Sequence, residues 1–229
     1  MSFLSLDADE IVRTIDTLSR RIEERFPGAG LGRVCRDLLA IARHARERAQ
    51  WIAQPILALR LVTAALAVLI VAGLGLTIAR LRPPAGGFEI GQFIQVLEAG
   101  INDLVLVGAA IFFLVTLEGR IKRRRALRAL HELRSIAHII DMHQLTKDPE
   151  RTIGEAPATA SSPARRMTPI ELGHYLDYCS EMLSLTGKVA ALYVQHYDDS
   201  VALQAVNEIE DLTTGLSNKI WQKLMILST

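Results

Sequence analysis

Aromatic residues make up only 5% of this 229-residue chain, although half of it is apolar. A soluble core of that size ordinarily carries more rings, so the apolar excess must be concentrated in particular segments. Cysteine is nearly absent. Cys35 and Cys179 lie one on each side of the most apolar stretches, too few for a disulfide framework. Both fall on apolar faces of predicted helices and read as small core residues in a reducing compartment. Neither sign of charge dominates: the net charge is +1, so no global basic field recommends nucleic acid as a partner. The opening residues, Met1 to Glu10, are acidic and have neither a basic n-region nor an apolar h-region. A cleavable signal peptide is therefore not expected. There is no Gly-rich phosphate loop, no Gly-x-Ser-x-Gly elbow and no His-Glu-x-x-His; the segment His131-Glu-Leu-Arg-Ser135 begins like the last but lacks its second histidine. No repeat of solenoid period is found. These absences leave no expected catalytic residue and no expected cofactor.

Two uninterrupted apolar runs are present. Leu61 to Ala79 holds nineteen residues without a charge, which as a helix spans about 28 Å and matches the hydrocarbon thickness of a bilayer. Ala99 to Leu117 has the same length but carries Asn102 and Asp103 near its start. The competing reading, a buried helix of a soluble protein, rarely sustains such length without a break. Arg43, Arg46, Arg48 and Arg60 precede the first run, and Arg120, Lys122, Arg123, Arg124, Arg125, Arg128 and Arg134 follow the second, against Arg80 and Arg82 between them. The positive-inside rule then places both flanks in the cytoplasm and the connecting loop, about 80–98, outside. The expected fold is all-α: a two-span transmembrane helical hairpin in the cell (inner) membrane, with both termini in a cytoplasmic helical bundle. Trp51 sits where an interfacial anchor belongs, with Pro55 as a kink on entry to the bilayer. Arg120, Lys122, Arg123, Arg124 and Arg125 read as anchors on anionic lipid headgroups rather than as a nucleic-acid patch.

The remainder predicts helices. In residues 1–55, Asp7 to Glu10 has capping-box spacing, and Ile11, Ile15, Leu18 and Ile22 form an apolar stripe ending at Phe26-Pro-Gly28. A second helix presents Leu31, Val34, Cys35, Leu38 and Ala42 and runs on toward the first span. The transmembrane hairpin occupies 56–119. No glycine or proline interrupts Arg120 to Asp148, so the second membrane helix is expected to continue through 120–147 with Leu130, Leu133, Ala137 and Ile140 as its stripe. Residues 148–167, rich in Pro, Ala, Ser and Thr, read as a flexible linker. Thr168-Pro-Ile-Glu171 is a helix start with its own capping box. Two helices of matched apolar spacing then form a hairpin over 168–229, turning at Asp198-Asp-Ser200.

Three groups of polar residues remain. Glu98, Asn102 and Asp103 are intramembrane or edge polar residues: either they sit in wet headgroups, or copies from several subunits form an acidic outer mouth. His131, Arg134, His138 and Asp141 share one helical face, and Glu171, His174 and Asp177 repeat the theme on another helix. Glu171-x-x-His174 has the spacing of carboxylate-bridged metal bundles, but no second such motif exists. These seven residues are expected to form an interhelical polar network, with a metal site or plain solvated surface as alternatives. In function the chain reads as a non-enzymatic anchor, scaffold or signalling subunit, its partners being the lipid bilayer and another protein or its own copies, with no nucleic acid. The alternative is a subunit of a small oligomeric cation channel or transporter.

Overall fold

The computed structural model describes residues 5–80, 90–153, 160–161 and 167–228, and every regular element among them is a helix. In chain order these are α1 (Ala8–Arg25), α2 (Gly30–Ala53), α3 (Leu57–Arg80), α4 (Ile90–Leu145), α5 (Pro149–Ile153), α6 (Pro169–Ala191) and α7 (Ser200–Ser228). They group into two compact units, one of residues 54–122 and the other of Met1–Ala53 with Arg123–Thr229.

Local chemistry sets the helix ends. The Asp7 carboxylate accepts the backbone N–H groups of Asp9 and Glu10, while Glu10 itself turns to Arg13, so the N-cap forms without the reciprocal half of the box. Both halves form at α6, where Thr168 caps the Glu171 N–H and Glu171 caps the Thr168 N–H. Gly28, at φ 72°, makes the turn after α1, a backbone region that glycine enters without Cβ strain. Pro55 lies between α2 and α3, which are separate helices. Two expected boundaries move. Residues Ile90 to Glu98, read as part of a loop, belong to α4; residues 81–89 lie outside the described residues. The expected linker opens with α5, because Asp148-Pro149 both ends α4 and starts a new helix with proline at its first position. The rest of that linker, 154–159 and 162–166, is outside the described residues.

In the larger unit the helices surround α6. Contacts of Leu6 with Gln195, Arg21 with Glu181 and Arg25 with Tyr178 set α1 antiparallel to α6. Arg123–Asp199, Arg134–Glu208 and Gln144–Lys223 set α7 parallel to the Arg123–Leu145 part of α4. Arg48–Glu132 and Trp51–Arg125 set α2 antiparallel to it. The expected stripes are the buried ones: Ile11, Ile15, Leu18 and Ile22 on α1; Leu31, Val34, Cys35, Leu38 and Ala42 on α2; Leu130, Leu133, Ala137 and Ile140 on α4. On α6 burial is not confined to one stripe and takes in Leu172, Tyr175, Leu176, Tyr178, Leu183 and Ala190, since helices pack on several of its sides. Truncating Ile15 or Leu38, both fully buried, to alanine costs about 2–5 kcal/mol in such a core.

The smaller unit has the opposite character. Leu61, Val62, Val68, Leu69 and Val71 on α3, and Leu104, Val105, Leu106, Phe112 and Val115 on α4, are all exposed. Two helical stretches are long and apolar enough to cross a membrane, and none of their most apolar windows is buried. A soluble core helix would hide that surface.

Candidate functional site

Within the smaller unit, polar contacts converge on Glu118, which ends the second apolar run. Arg60 at the start of α3 donates Nε to its Oε2 at 2.7 Å and Nη2 to its Oε1 at 3.4 Å. Lys122, one turn on along α4, lies 2.9 Å from Oε1. The backbone N–H of Ile56, just ahead of α3, donates to the same oxygen at 3.3 Å. One carboxylate thus holds two cations and a donor at a helix entrance, which joins the beginning of α3 to the end of the apolar part of α4. Glu118 was not singled out from the sequence. The legible signal was an acid standing alone between an apolar run and a basic one.

In the larger unit, the meeting of α2, α4 and α6 holds a second polar group. His143 packs its ring against Gly30, the first residue of α2, and Nδ1 lies 3.2 Å from the Tyr175 hydroxyl. Burial, with Lys147 and Arg33 adding repulsion, lowers the pKa of His143, which favours the neutral imidazole. Lys147 stands 4.8 Å over the Tyr175 ring, and Phe26 meets the same ring edge-on at 5.6 Å. Burial pushes the Tyr175 hydroxyl pKa up, and the buried Cys179 thiol up to about 12. Cys35 is likewise raised to about 12 by burial. Neither thiol is poised as a nucleophile. Lys223 donates to the Gln144 carbonyl at 2.7 Å, neutralising the C-terminal end of α4, and burial lowers its pKa against the opposing pull of Asp148 and Asp141.

The residues singled out from sequence separate into different roles. Arg134 reaches Glu208 on α7 at 3.3 Å, and Asp141 accepts from Gln144 at 2.6 Å, while His131 and His138 are exposed. Glu171 is engaged by Thr168, whose backbone N–H and then hydroxyl lower its pKa. His174 and Asp177 line a shallow groove between α1 and α6 with Thr14, Glu181 and Lys188. The two sets therefore do not converge: Arg134 meets α7, whereas His174 and Asp177 line the groove beside α1. Among the described residues no group of three or more His, Cys, Asp or Glu side chains is arranged to hold a metal.

The basic run also divides. Lys122, read as a headgroup anchor, is buried and paired with Glu118. Arg123 pairs with Asp199 at 2.7 Å; burial would raise the Asp199 pKa, but Arg123 and the Ala202 N–H hold it below the usual carboxylate value. Arg125 stacks 4.1 Å over the Trp51 ring, and Trp51 packs against the core. Arg120 lies over Phe113 at 5.2 Å. Arg124 and Arg128 are exposed and make no ion pair among the described residues. Glu98, Asn102 and Asp103 are exposed on α4. No family model, curated protein or solved structure matches this chain.

Proposed function

We propose that this chain is an integral membrane protein that crosses the bilayer twice as a helical hairpin, with both termini cytoplasmic. Its helical bundle then serves as a non-enzymatic anchor, scaffold or signalling subunit that binds a protein partner or its own copies. The observation that carries this reading is the contrast between the two units. One buries its apolar stripes around α6, and the other leaves membrane-length apolar surface uncovered. The Glu118 contacts to Arg60 and Ile56 support the hairpin, since they bring the start of α3 beside the end of the apolar part of α4. Cytoplasmic orientation draws its support from the arginine asymmetry alone. A reporter active only outside the cytoplasm should function when inserted at Gly86 and fail when fused after Thr229. The opposite pattern refutes the orientation, and light scattering in detergent reads self-association.

The exposure of Glu98, Asn102 and Asp103 on α4 favours a second reading, a cation-conducting oligomer. Planar-bilayer recordings of wild type and Asp103→Leu separate the two. Cation current that changes with the substitution replaces the scaffold reading, whereas the scaffold reading expects silent bilayers from both proteins.

A further inference from the structure

The ion pairs of the bundle leave the basic run of α4 unequal, and the inequality points to a specific lipid contact. Lys122, Arg123 and Arg125 are committed to Glu118, Asp199 and the Trp51 ring. Arg124 and Arg128 are spaced one helical turn apart, both exposed, with no ion pair among the described residues. The face they begin continues through His131, Ser135 and His138, all exposed and none acidic.

Resting on the two-span reading, we propose that Arg124 and Arg128 bind the phosphate of anionic lipid headgroups, and that Lys122, Arg123 and Arg125, held by Glu118, Asp199 and the Trp51 ring, do not. Pairing sets these two apart, and distance along the helix keeps them near the bilayer surface. Arg124 lies seven residues past Leu117, about 10 Å, and Arg128 eleven residues past it, about 16 Å. The headgroup layer extends roughly 5–8 Å beyond the hydrocarbon. Helical side chains lean toward the N-terminal end, which for α4 is the apolar run, so long guanidinium arms at these two positions can reach back toward that layer. Screening over about 8 Å leaves them within electrostatic range. His131 and His138, at about 21 and 31 Å, fall outside it. A guanidinium fork matches a phosphate bidentately, which favours phosphate-bearing headgroups.

The test is native mass spectrometry of the detergent-solubilised full chain with phosphatidylglycerol or phosphatidylcholine added. Wild type should retain phosphatidylglycerol preferentially. Each Arg→Gln change at 124 or 128 should weaken that retention roughly 5-fold, and Arg124→Gln with Arg128→Gln roughly 30-fold, with phosphatidylcholine unaffected. Arg13→Gln with Arg20→Gln removes the same charge from exposed positions of α1 and should change nothing. Arg124→Lys with Arg128→Lys should keep most of the preference while leaving helix content intact. Unchanged phosphatidylglycerol retention in the glutamine pair overturns the proposal, as does a wild type that takes both lipids equally. An RNA oligonucleotide or acidic peptide that binds the two arginines in preference to the lipid overturns it as well. Alkaline carbonate extraction keeps the underlying reading separate: release of the chain from membranes refutes the two spans, whereas a retained chain with no arginine effect refutes only the site.

Discussion

Gly30→Ala places one methyl group where α2, α4 and α6 meet. A Cβ at that position would lie 2.6 Å from His143 Cε1 and 3.5 Å from Nε2, whereas carbon atoms rest at about 3.5–4.0 Å. The imidazole must therefore shift by roughly 1 Å, which breaks its 3.2 Å contact with the Tyr175 hydroxyl. Overpacking of this kind costs about 1–3 kcal/mol. Gly30 does not have a positive φ, so alanine recovers part of that loss, up to about 1 kcal/mol, by its helix preference. A net loss of about 1–2 kcal/mol lowers the melting temperature of a unit this size by roughly 2–8 °C. Thermal melts of the full chain in detergent, followed by far-UV circular dichroism, read the shift. With His143→Ala in the background the methyl has room, and Gly30→Ala should become neutral or stabilising. An equal loss in both backgrounds, or a rise in the wild type, refutes the steric account.

The pH dependence of stability follows from the same histidine. Its folded-state pKa lies below the usual 6.5, so the unfolded chain binds the proton first. Stability should be full above that value, fall as pH drops through it, and level off below the depressed folded value; His143→Gln should flatten this segment, and an unflattened profile assigns it elsewhere. Thr168→Ala removes the α6 cap and should destabilise the bundle by about 1 kcal/mol in denaturant unfolding, with no change if the cap is idle. Cys35 and Cys179, each raised to about 12 by burial, should resist maleimide in the folded chain and react on unfolding; rapid native labelling would contradict their packing. Glu118→Gln leaves Arg60 and Lys122 without their carboxylate, and its effect on thermal stability should be strongly non-additive with Arg60→Gln, whereas simple additivity dissolves the clamp.

Periodicity, apolar run length and capping chemistry are one-dimensional properties, and they determined a good deal here. The alternating four- and three-residue spacing of Ile11, Ile15, Leu18 and Ile22 named its buried face. The absence of glycine and proline after Arg120 implied the long α4, and Thr168-Pro-Ile-Glu171 implied the start of α6 with its box. The two long apolar runs identified the helices able to cross a membrane. What the sequence could not determine was which polar group meets which, because partners such as Arg48 and Glu132, or Arg123 and Asp199, stand far apart along the chain. Only packing against α2 and α7 decided that Arg123 and Arg125 are engaged while Arg124, one residue from each, faces outward. It also split the His131 face, turning Arg134 to Glu208 on α7 while Asp141 accepts from Gln144 within α4 and His131 and His138 stay exposed. A helical face can be read from spacing alone, but its neighbours are set by how helices stack. Tertiary structure therefore decided the Glu118 clamp, the His143 junction and the two arginines that have no ion pair among the described residues.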